Sequence, residues 1–387
     1  MSESLDAARA RSLHRAVRRA EVLVTTGAGG VGKTTTAAAI GLAGAAEGRR
    51  VLVMTIDPAR RLAQALGLAD LASEPQRVDL GDVGDGGELW AMMLDMQSTF
   101  DGVIDRHATS RARARAIKDN RIYQTLSSTL SGTQEYMAME KLHELHDTGE
   151  WDLLVIDTPP TRSALDFLEA PKRMTSFLEG RLLRLLMQPA MSAGKGYLRV
   201  LNAGATTFMK VAGRVTGMDL LNDLADFFRN FEGMYEGFKE RADQVLDLLQ
   251  RPTSQFVVVT SPQPPPLREA RFFLDRLEQE GLHLAGVVVN RVHPDPGVGD
   301  SVDELRHAAQ RLDDDGGEDE AAVADGLRLL ADLAGLSGRE RRDVEAALFG
   351  RRVQALVDVP LLRSDVHDLA GLGEIAETIV HPVDATA

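Results

Sequence analysis

Short runs of β-branched and aliphatic residues recur along the chain, and turn residues bound each run. The runs are Glu21–Thr26, Val51–Asp57, Glu88–Leu94, Leu153–Thr158, Gln255–Ser261, Ala285–Asn290 and Ala355–Val359. Most are apolar throughout instead of alternating, which is typical of strands that are buried on both faces. Helical stretches separate them. The pattern therefore predicts an α/β fold with a doubly wound, mostly parallel sheet.

Between residues 171 and 250 the strand signal gives way to helical periodicity. Leucine and phenylalanine recur at helical spacing, for example at Leu220, Leu224 and Phe228. The region holds eight of the 18 aromatic residues and six of the 13 methionines. We predict a helical insertion subdomain whose apolar side chains either form its own core or bind a hydrophobic client or a membrane-protein partner.

The remaining boundaries follow from charge and from the strand runs. Residues 1–20 are predicted to form an N-terminal helical extension that is amphipathic and frayed. The core comprises residues 21–170, 251–292 and 351–387, the last with a strand and a C-terminal helix. Residues 293–350 form an acidic, partly helical insertion, since residues 293–320 contain ten acidic and two basic residues. We expect a mobile loop at residues 313–320 between helices at Val302–Leu312 and Ala321–Ala334.

Composition excludes several classes of protein. The formal net charge is −14, which argues against a nucleic-acid-binding surface, and the basic run from Arg106 to Arg121 is interpreted as a solvated helical face. No run of ~18 apolar residues predicts a membrane span. The absence of cysteine excludes disulfides and thiolate metal sites, and it fits the reducing cytoplasm, where we place the protein.

A glycine-rich segment lies between the first predicted strand and an alanine-rich helical run. It matches G-x-x-x-x-G-K-[ST] and consists of Gly27, Ala28, Gly29, Gly30, Val31, Gly32, Lys33 and Thr34. In this pattern the loop N–H groups and the helix dipole bind phosphate oxygens. Lys33 is predicted to reach the β- and γ-phosphates and Thr34 to bind Mg²⁺. The sequence therefore predicts a nucleotide phosphate site.

Two predicted strands end in an aspartate, Asp157 and Asp57. Such carboxylates lie at the sheet edge beside the phosphate loop. Asp157 is predicted to hold Mg²⁺ with Thr34, while Asp57 is predicted to orient the attacking water and to contribute to the metal site. Because Pro58 follows, Asp57 is also a candidate helix cap.

Asn290 closes another predicted strand, at the edge where the base of a nucleotide would lie. Its side-chain amide can both donate to adenine and accept from it. A guanine-specific site of the N-K-x-D type would place Asp three residues later, where this chain has His293. We therefore predict ATP in preference to GTP.

Several of these segments resemble the MinD/ArsA-type ATPases. Ala28–Thr35 is similar to their deviant Walker A motif, K-G-G-x-G-K-[ST]-T, and Asp57-Pro58-Ala59 is similar to the D-P-A switch I of the ArsA and guided-entry ATPases. Asp157–Thr161 resembles their D-T-A-P-T switch II. Asn290 and Val359–Leu362 resemble their adenine-side segments. The most similar group is the actinobacterial "anion-transporting ATPase" subgroup.

The resemblance implies a P-loop NTPase fold and a Mg²⁺-dependent ATPase that dimerises face to face around two nucleotides. It adds Thr35, Pro360 and Leu361 to the nucleotide-binding residues, with ATP and Mg²⁺ as the bound groups. It also implies a switch that serves protein targeting, membrane-linked transport or stress resistance.

The chain departs from the family pattern at three places. Ala28 stands where the family has a signature lysine that reaches the partner's nucleotide, so we expect either a homodimer or a heterodimer with a related chain that supplies the lysine. Arg60, Arg61 and Arg162 occupy other family positions, either as surface ion pairs or as groups that stabilise phosphoryl charge. The absence of cysteine excludes arsenite binding by thiolates.

Two other functions are compatible with these motifs. One is a regulatory subunit of a heterodimer that binds ATP and hydrolyses it weakly or not at all, as Ala28 suggests. The other is a MinD/ParA-like positioning ATPase, although Val366–Ala387 has no Lys or Arg with which to form a basic membrane anchor.

Overall fold

The computed structural model describes residues 5–9, 11–57, 60–81, 86–121, 123–124, 133–158, 235–298, 301–315 and 318–381. Their strands are β1 Val22–Gly27, β2 Arg50–Thr55, β3 Gln76–Arg77, β4 Glu88–Met93, β5 Leu153–Asp157, β6 Ser254–Thr260, β7 His283–Val292 and β8 Leu356–Pro360. Each of the seven predicted strands is present within two residues of its predicted ends. The short β3 was not predicted, because two residues carry no periodic signal.

Helices alternate with these strands. They are α1 Leu5–Arg9, α2 His14–Arg19, α3 Lys33–Ala46, α4 Arg61–Ala65, α5 Met96–His107, α6 Arg111–Lys118, α7 Thr133–Asp147, α8 Tyr235–Leu249, α9 Pro264–Gln279, α10 Val302–Asp315, α11 Glu318–Leu348 and α12 Leu369–Val380. No helix in the described ranges is long and apolar enough to cross a membrane.

The strands form one eight-stranded sheet in the order β3-β4-β2-β5-β1-β6-β7-β8. Every neighbouring pair is parallel except β3 and β4, which are antiparallel. Strands β2, β5 and β1 are parallel neighbours, so their carboxyl ends lie at the same edge of the sheet. This is the edge at which α/β sheets of this type bind ligands.

Alternation along β2 shows that both sheet faces are covered. Val51 and Val53 belong to the core cluster that also contains α3 and α12, whereas Leu52 and Met54 are fully buried outside that cluster. Successive strand residues point to opposite faces, so apolar layers lie on both. The predicted doubly wound α/β fold is confirmed.

The chain divides into two compact units. Met1–Met93, Glu150–Ala164 and Gln250–Ala387 form the first, which contains the sheet; Leu94–Gly149 and Leu165–Leu249 form the second. In the second unit, α5 packs against α6 and α7, and α7 packs against α8. The predicted insertion at 171–250 lies outside the described residues up to residue 234, so its boundary and its client surface stay predictions.

The acidic segment is helical where we expected a mobile loop. Helix α10 continues to Asp315 and α11 begins at Glu318, so the predicted loop at 313–320 was wrong for six of its eight residues. Acidic side chains at the start of α11 complement the positive end of its dipole. Arg328 pairs with both Asp313 and Asp325, which offsets part of the local charge.

The N-terminal helices are packed, which corrects the expectation of fraying. Leu13 and Val17 are buried in the same core cluster as α3, and the backbone N–H of Leu13 donates to the carbonyl of Ile379 at 3.0 Å. The amphipathic pattern of residues 1–20 is therefore satisfied by the body of the first unit.

Candidate functional site

The phosphate loop joins β1 to α3, and two of its glycines are required by close contacts. A Cβ on Gly27 would lie 2.0 Å from the carbonyl oxygen of Val259, and one on Gly32 would lie 2.1 Å from Nδ2 of Asn290. Both residues have positive φ, 153° and 96°, where side chains are strained. The neighbouring strands β6 and β7 therefore hold the loop in one conformation.

The N-terminus of α3 has no side-chain cap. Its N-cap is Gly32, and its first turn carries no acidic residue. Helices α2, α4 and α9 also begin without a side-chain cap, whereas Asp95, Ser110 and Asp368 cap α5, α6 and α12. The first N–H groups of a helix need an acceptor, and the helix dipole favours an anion there. The start of α3 is therefore suited to a phosphate group.

Lys33 is buried, with 6% of its surface exposed. Its Nζ donates to the carbonyl oxygens of Gly27 at 3.0 Å and Ala28 at 2.9 Å. Burial lowers the pKa of Lys33 below its ordinary value, against the opposing charges of Asp157 and Asp57. A buried ammonium whose hydrogen bonds go to neutral carbonyls is electrostatically suited to receive a phosphate.

Asp157 lies at the end of β5 and is fully buried. Its Oδ2 accepts hydrogen bonds from the hydroxyls of Thr34 at 2.8 Å and Thr55 at 2.9 Å. Burial raises the pKa of Asp157 to about 6, although both hydroxyls and Lys33 act to lower it. In the described part of the chain, Oδ1 has no hydrogen-bond partner.

These oxygens fit a magnesium ion. Mg²⁺ prefers hard oxygen ligands and binds proteins through one or two carboxylates together with phosphate oxygens. Asp157 offers a carboxylate oxygen with unused bonding capacity, and Thr34 places a hydroxyl beside it. The predicted pairing of Thr34 with Asp157 is thus present, and Thr55 is a partner that the sequence did not reveal.

Asp57 lies two residues beyond the end of β2, with 14% of its side chain exposed. Its Oδ2 is 3.4 Å from Nη1 of Arg61. Helix α4 begins at Arg61 with Arg60 as N-cap. Pro58 lies outside the described residues, so the alternative in which Asp57 caps a helix that starts there stays a prediction. Asp57 lines the cavity described below.

Asn290 supports the phosphate loop. Its Nδ2 donates to the carbonyl of Val31 at 2.9 Å, and its Oδ1 accepts from the backbone N–H of Arg291 at 2.9 Å. Arg291 has φ of 62°, and its guanidinium reaches the carbonyl of Gly30 at 3.3 Å. The predicted adenine contact of Asn290 stays a prediction, because much of the amide's bonding capacity is used by the protein.

A cavity of about 500 Å³ is lined by most of these groups, although the fully buried Asp157 is not among its lining residues. It is lined by the predicted residues Gly30, Gly32, Lys33, Thr34, Thr35, Asp57, Asn290, Pro360 and Leu361. Further lining residues that were not predicted as ligands include Gln64, Arg291 and the segment Ser364–His367. Residues 364–367 follow Pro360 and Leu361 in the same loop. This proximity in sequence is the signal that could have identified them as part of the site.

A parallel sheet with this loop, a buried lysine and a Thr34–Asp157 pair at its carboxyl edge defines a P-loop nucleotide-binding protein. The chain belongs to the anion-transporting ATPase family, whose model matches residues 20–312. The predicted family and the predicted enzyme class, an ATPase, are confirmed at that level.

Relatives named as ATPases share 24–28% identity with the chain. ATPase GET3 of Malassezia globosa is 26% identical over 92% of this chain and 89% of its own length. "Putative arsenical pump-driving ATPase 1" of Aquifex aeolicus is 26% identical over 71% of this chain and 64% of its own. ATPase BagA of Mycobacterium tuberculosis is 24% identical over 47% of this chain and 53% of its own. The match thus spans only part of two of these relatives.

Proposed function

We propose that the protein is a cytoplasmic Mg²⁺-dependent ATPase that hydrolyses ATP as a dimeric, nucleotide-driven switch. We propose that this switch acts in protein targeting, membrane-linked transport or stress resistance. The names of the relatives, an arsenical pump-driving ATPase and GET3 among them, support this range of services.

The observation that carries the proposal is the buried carboxylate of Asp157. It is fully buried, its Oδ2 is bound by Thr34 and Thr55, and its Oδ1 has no partner within the described residues. A charge buried in this way is unfavourable in the unliganded protein and becomes favourable when a cation binds. Asp157 is therefore positioned to bind Mg²⁺, next to the phosphate loop.

Each residue of the site then has a chemical role. The loop N–H groups and Lys33 bind the β- and γ-phosphates, while Thr34 and Asp157 hold the metal. When bound, Mg²⁺ neutralises phosphate charge. Asp57 accepts a hydrogen bond from the attacking water and orients it. The water oxygen bonds to the γ-phosphorus, and the bond to the β–γ bridging oxygen breaks with its electron pair on ADP. Both protons of the water leave with the phosphate product.

Partner binding is the less defined part of the proposal. Ala28 is buried in the apolar core cluster, so it supplies no charge to a second nucleotide. The dimer is therefore either a homodimer without that lysine or a heterodimer with a related chain that carries it. The region 171–250 is proposed to bind a hydrophobic client or a membrane-protein partner, and no nucleic-acid partner is proposed.

The test is ATP turnover of the purified chain over a range of protein concentrations. We expect turnover that rises with concentration and falls sharply in Asp57→Asn, whereas ATP affinity is kept. Asp70→Asn is the matched control, because Asp70 is an exposed aspartate that pairs with Arg60. Lys33→Ala should lose ATP affinity itself.

The outcomes separate the alternatives. ATP binding without turnover in the wild-type chain would support the regulatory subunit of a heterodimer. Turnover that depends on added lipid or DNA would support a MinD/ParA-like positioning ATPase. Failure to bind ATP would remove the ATPase proposal altogether.

A further inference from the structure

We propose that Arg61 is a catalytic cation of this site, which leaves Asp57 and binds the γ-phosphate oxygens during hydrolysis. The inference rests on the proposed ATPase function and assigns one more residue to it. Two observations carry it: Arg61 lines the nucleotide cavity, and its guanidinium lies 3.4 Å from the carboxylate of Asp57.

Neighbouring arginines provide an internal comparison. Arg60 and Arg61 are consecutive in sequence, and both are exposed, with 69% and 60% of their side chains accessible. Arg60 pairs with Asp70 at 3.3 Å and does not line the cavity. Arg61 points to the carboxylate predicted to orient the attacking water. The structure therefore separates two residues that the sequence could not rank.

The side chain of Arg61 can change partners without disturbing the packing of the protein. It is 60% exposed, and its contact with Asp57 is long, at 3.4 Å. The guanidinium can therefore leave Asp57 and reach phosphate oxygens in the cavity that it lines.

Arg61 differs from the other cations of the cavity in the group with which it pairs. Among the cavity's described lining residues the permanent cations are Lys33, Arg61 and Arg291. Arg291 bonds to the loop carbonyl of Gly30, and Lys33 bonds to the carbonyls of Gly27 and Ala28. Arg61 alone among the three pairs with the water-orienting carboxylate. The charge of Arg61 also acts on Lys33, whose pKa is lowered chiefly by burial and further by Arg61.

The proposed action is electrostatic and changes no bond of Arg61. As the bond between the γ-phosphorus and the β–γ bridging oxygen breaks, its electron pair goes to ADP. The planar guanidinium donates two N–H groups to phosphoryl oxygens, a geometry that lysine cannot match. Its release from Asp57 leaves that carboxylate to accept from water.

The first experiment compares Arg61→Ala, Arg61→Lys and the control Arg60→Ala. We expect Arg61→Ala to lower kcat at least ~100-fold with ATP affinity within about threefold of wild type, since cis or trans arginines in such sites contribute ~10³–10⁵-fold. Arg61→Lys should recover only part of the loss. Arg60→Ala should stay within about twofold of wild type.

A second measurement separates contact with the phosphoryl group from support of Asp57. Affinity for ADP with fluoroaluminate, a mimic of the transferring phosphoryl group, is compared between Asp57→Asn and Asp57→Asn/Arg61→Ala. We expect the added Arg61→Ala change to weaken binding of the mimic by roughly tenfold or more. This readout needs no turnover.

Defined results overturn the inference. Equal affinity of the two Asp57→Asn variants for the mimic would mean that Arg61 acts only through Asp57, and wild-type kcat in Arg61→Ala would remove any catalytic role. A wild-type chain that binds neither ATP nor the mimic would instead defeat the proposed function.

Discussion

Two carboxylates, Asp157 in the first unit and Glu140 in the second, are fully buried, yet their surroundings differ. Oε1 of Glu140 accepts from the hydroxyl of Tyr136 at 2.8 Å, and its Oε2 lies 3.3 Å from Nε of Arg241. Oε1 of Glu140 thus has a hydrogen bond, whereas Oε2 has an ion-pair partner but, like Oδ1 of Asp157, no hydrogen bond among the described residues. Asp157 has two hydroxyl donors on Oδ2 and none on Oδ1 within the described chain.

On the proposed function, this difference makes Glu140 a structural carboxylate and Asp157 a metal-binding one. Burial raises the pKa of both groups; Tyr136 and Arg241 counter it at Glu140, and Thr34, Thr55 and Lys33 counter it at Asp157. The pair of Glu140 with Arg241 joins α7 to α8 and places a cation beside the buried carboxylate within the protein. Oδ1 of Asp157 has no hydrogen-bond partner among the described residues, and Thr34, which binds Oδ2, lines the cavity, so we propose that a bound cation is the partner of Asp157.

Asp157→Asn should give the largest effect. We expect kcat for ATP to fall ~10⁴-fold, or about 5.5 kcal/mol, because the neutral amide loses the charge that holds Mg²⁺. Phosphate release measures this. Turnover within about tenfold of wild type would show that Asp157 is only a packed carboxylate.

The same variant should be more stable without nucleotide. The pKa of Asp157 is raised from 3.8 to about 6, so the folded protein binds the proton more tightly than the unfolded chain. The contribution of Asp157 to the free energy of unfolding is therefore largest below about pH 4. It decreases by about 3 kcal/mol as the pH rises through about 6. Urea unfolding at pH 8 should show Asp157→Asn gaining up to that amount, and the gain should vanish near pH 4.

Glu140→Ala should have the next largest effect, and on stability alone. It removes the buried partner of Arg241, whose side chain is 17% exposed, and leaves it the more exposed Asp147 at 3.4 Å. We therefore expect the free energy of unfolding to fall by about 3 kcal/mol, the lower end of the range for a broken buried pair. The double variant Glu140→Leu/Arg241→Met should recover most of the loss. If the single variant is as stable as wild type, the pair is not a structural link.

A matched pair of hydroxyl deletions should give the smallest effect. Thr55→Val and Tyr136→Phe each remove one donor to a buried carboxylate, and each should cost about 1–2 kcal/mol in urea unfolding. Only Thr55→Val should also change the magnesium dependence of ATP turnover. Equal effects of both variants on that dependence would erase the contrast between the two carboxylates.

Much of the fold was predictable because strand and helix periodicity is a local signal. Seven strands, the phosphate loop and the start of α3 follow from residues that are near one another in sequence. The exceptions have physical causes. The short β3 is defined by its pairing with β4, and the acidic segment is linked to the following helix by the pair of Asp313 with Arg328.

The sequence by itself determined the chemistry available: the glycines, Lys33, Thr34 and the carboxylates at strand ends. Only the tertiary structure decided how they are used. It assigned Asn290 to the support of Val31 and placed Thr55 beside Asp157 on the neighbouring strand. It also directed Arg61 towards the cavity and Arg60 towards Asp70. The reason is that motifs encode contacts between near neighbours, whereas burial and pairing depend on segments that meet only when the sheet forms.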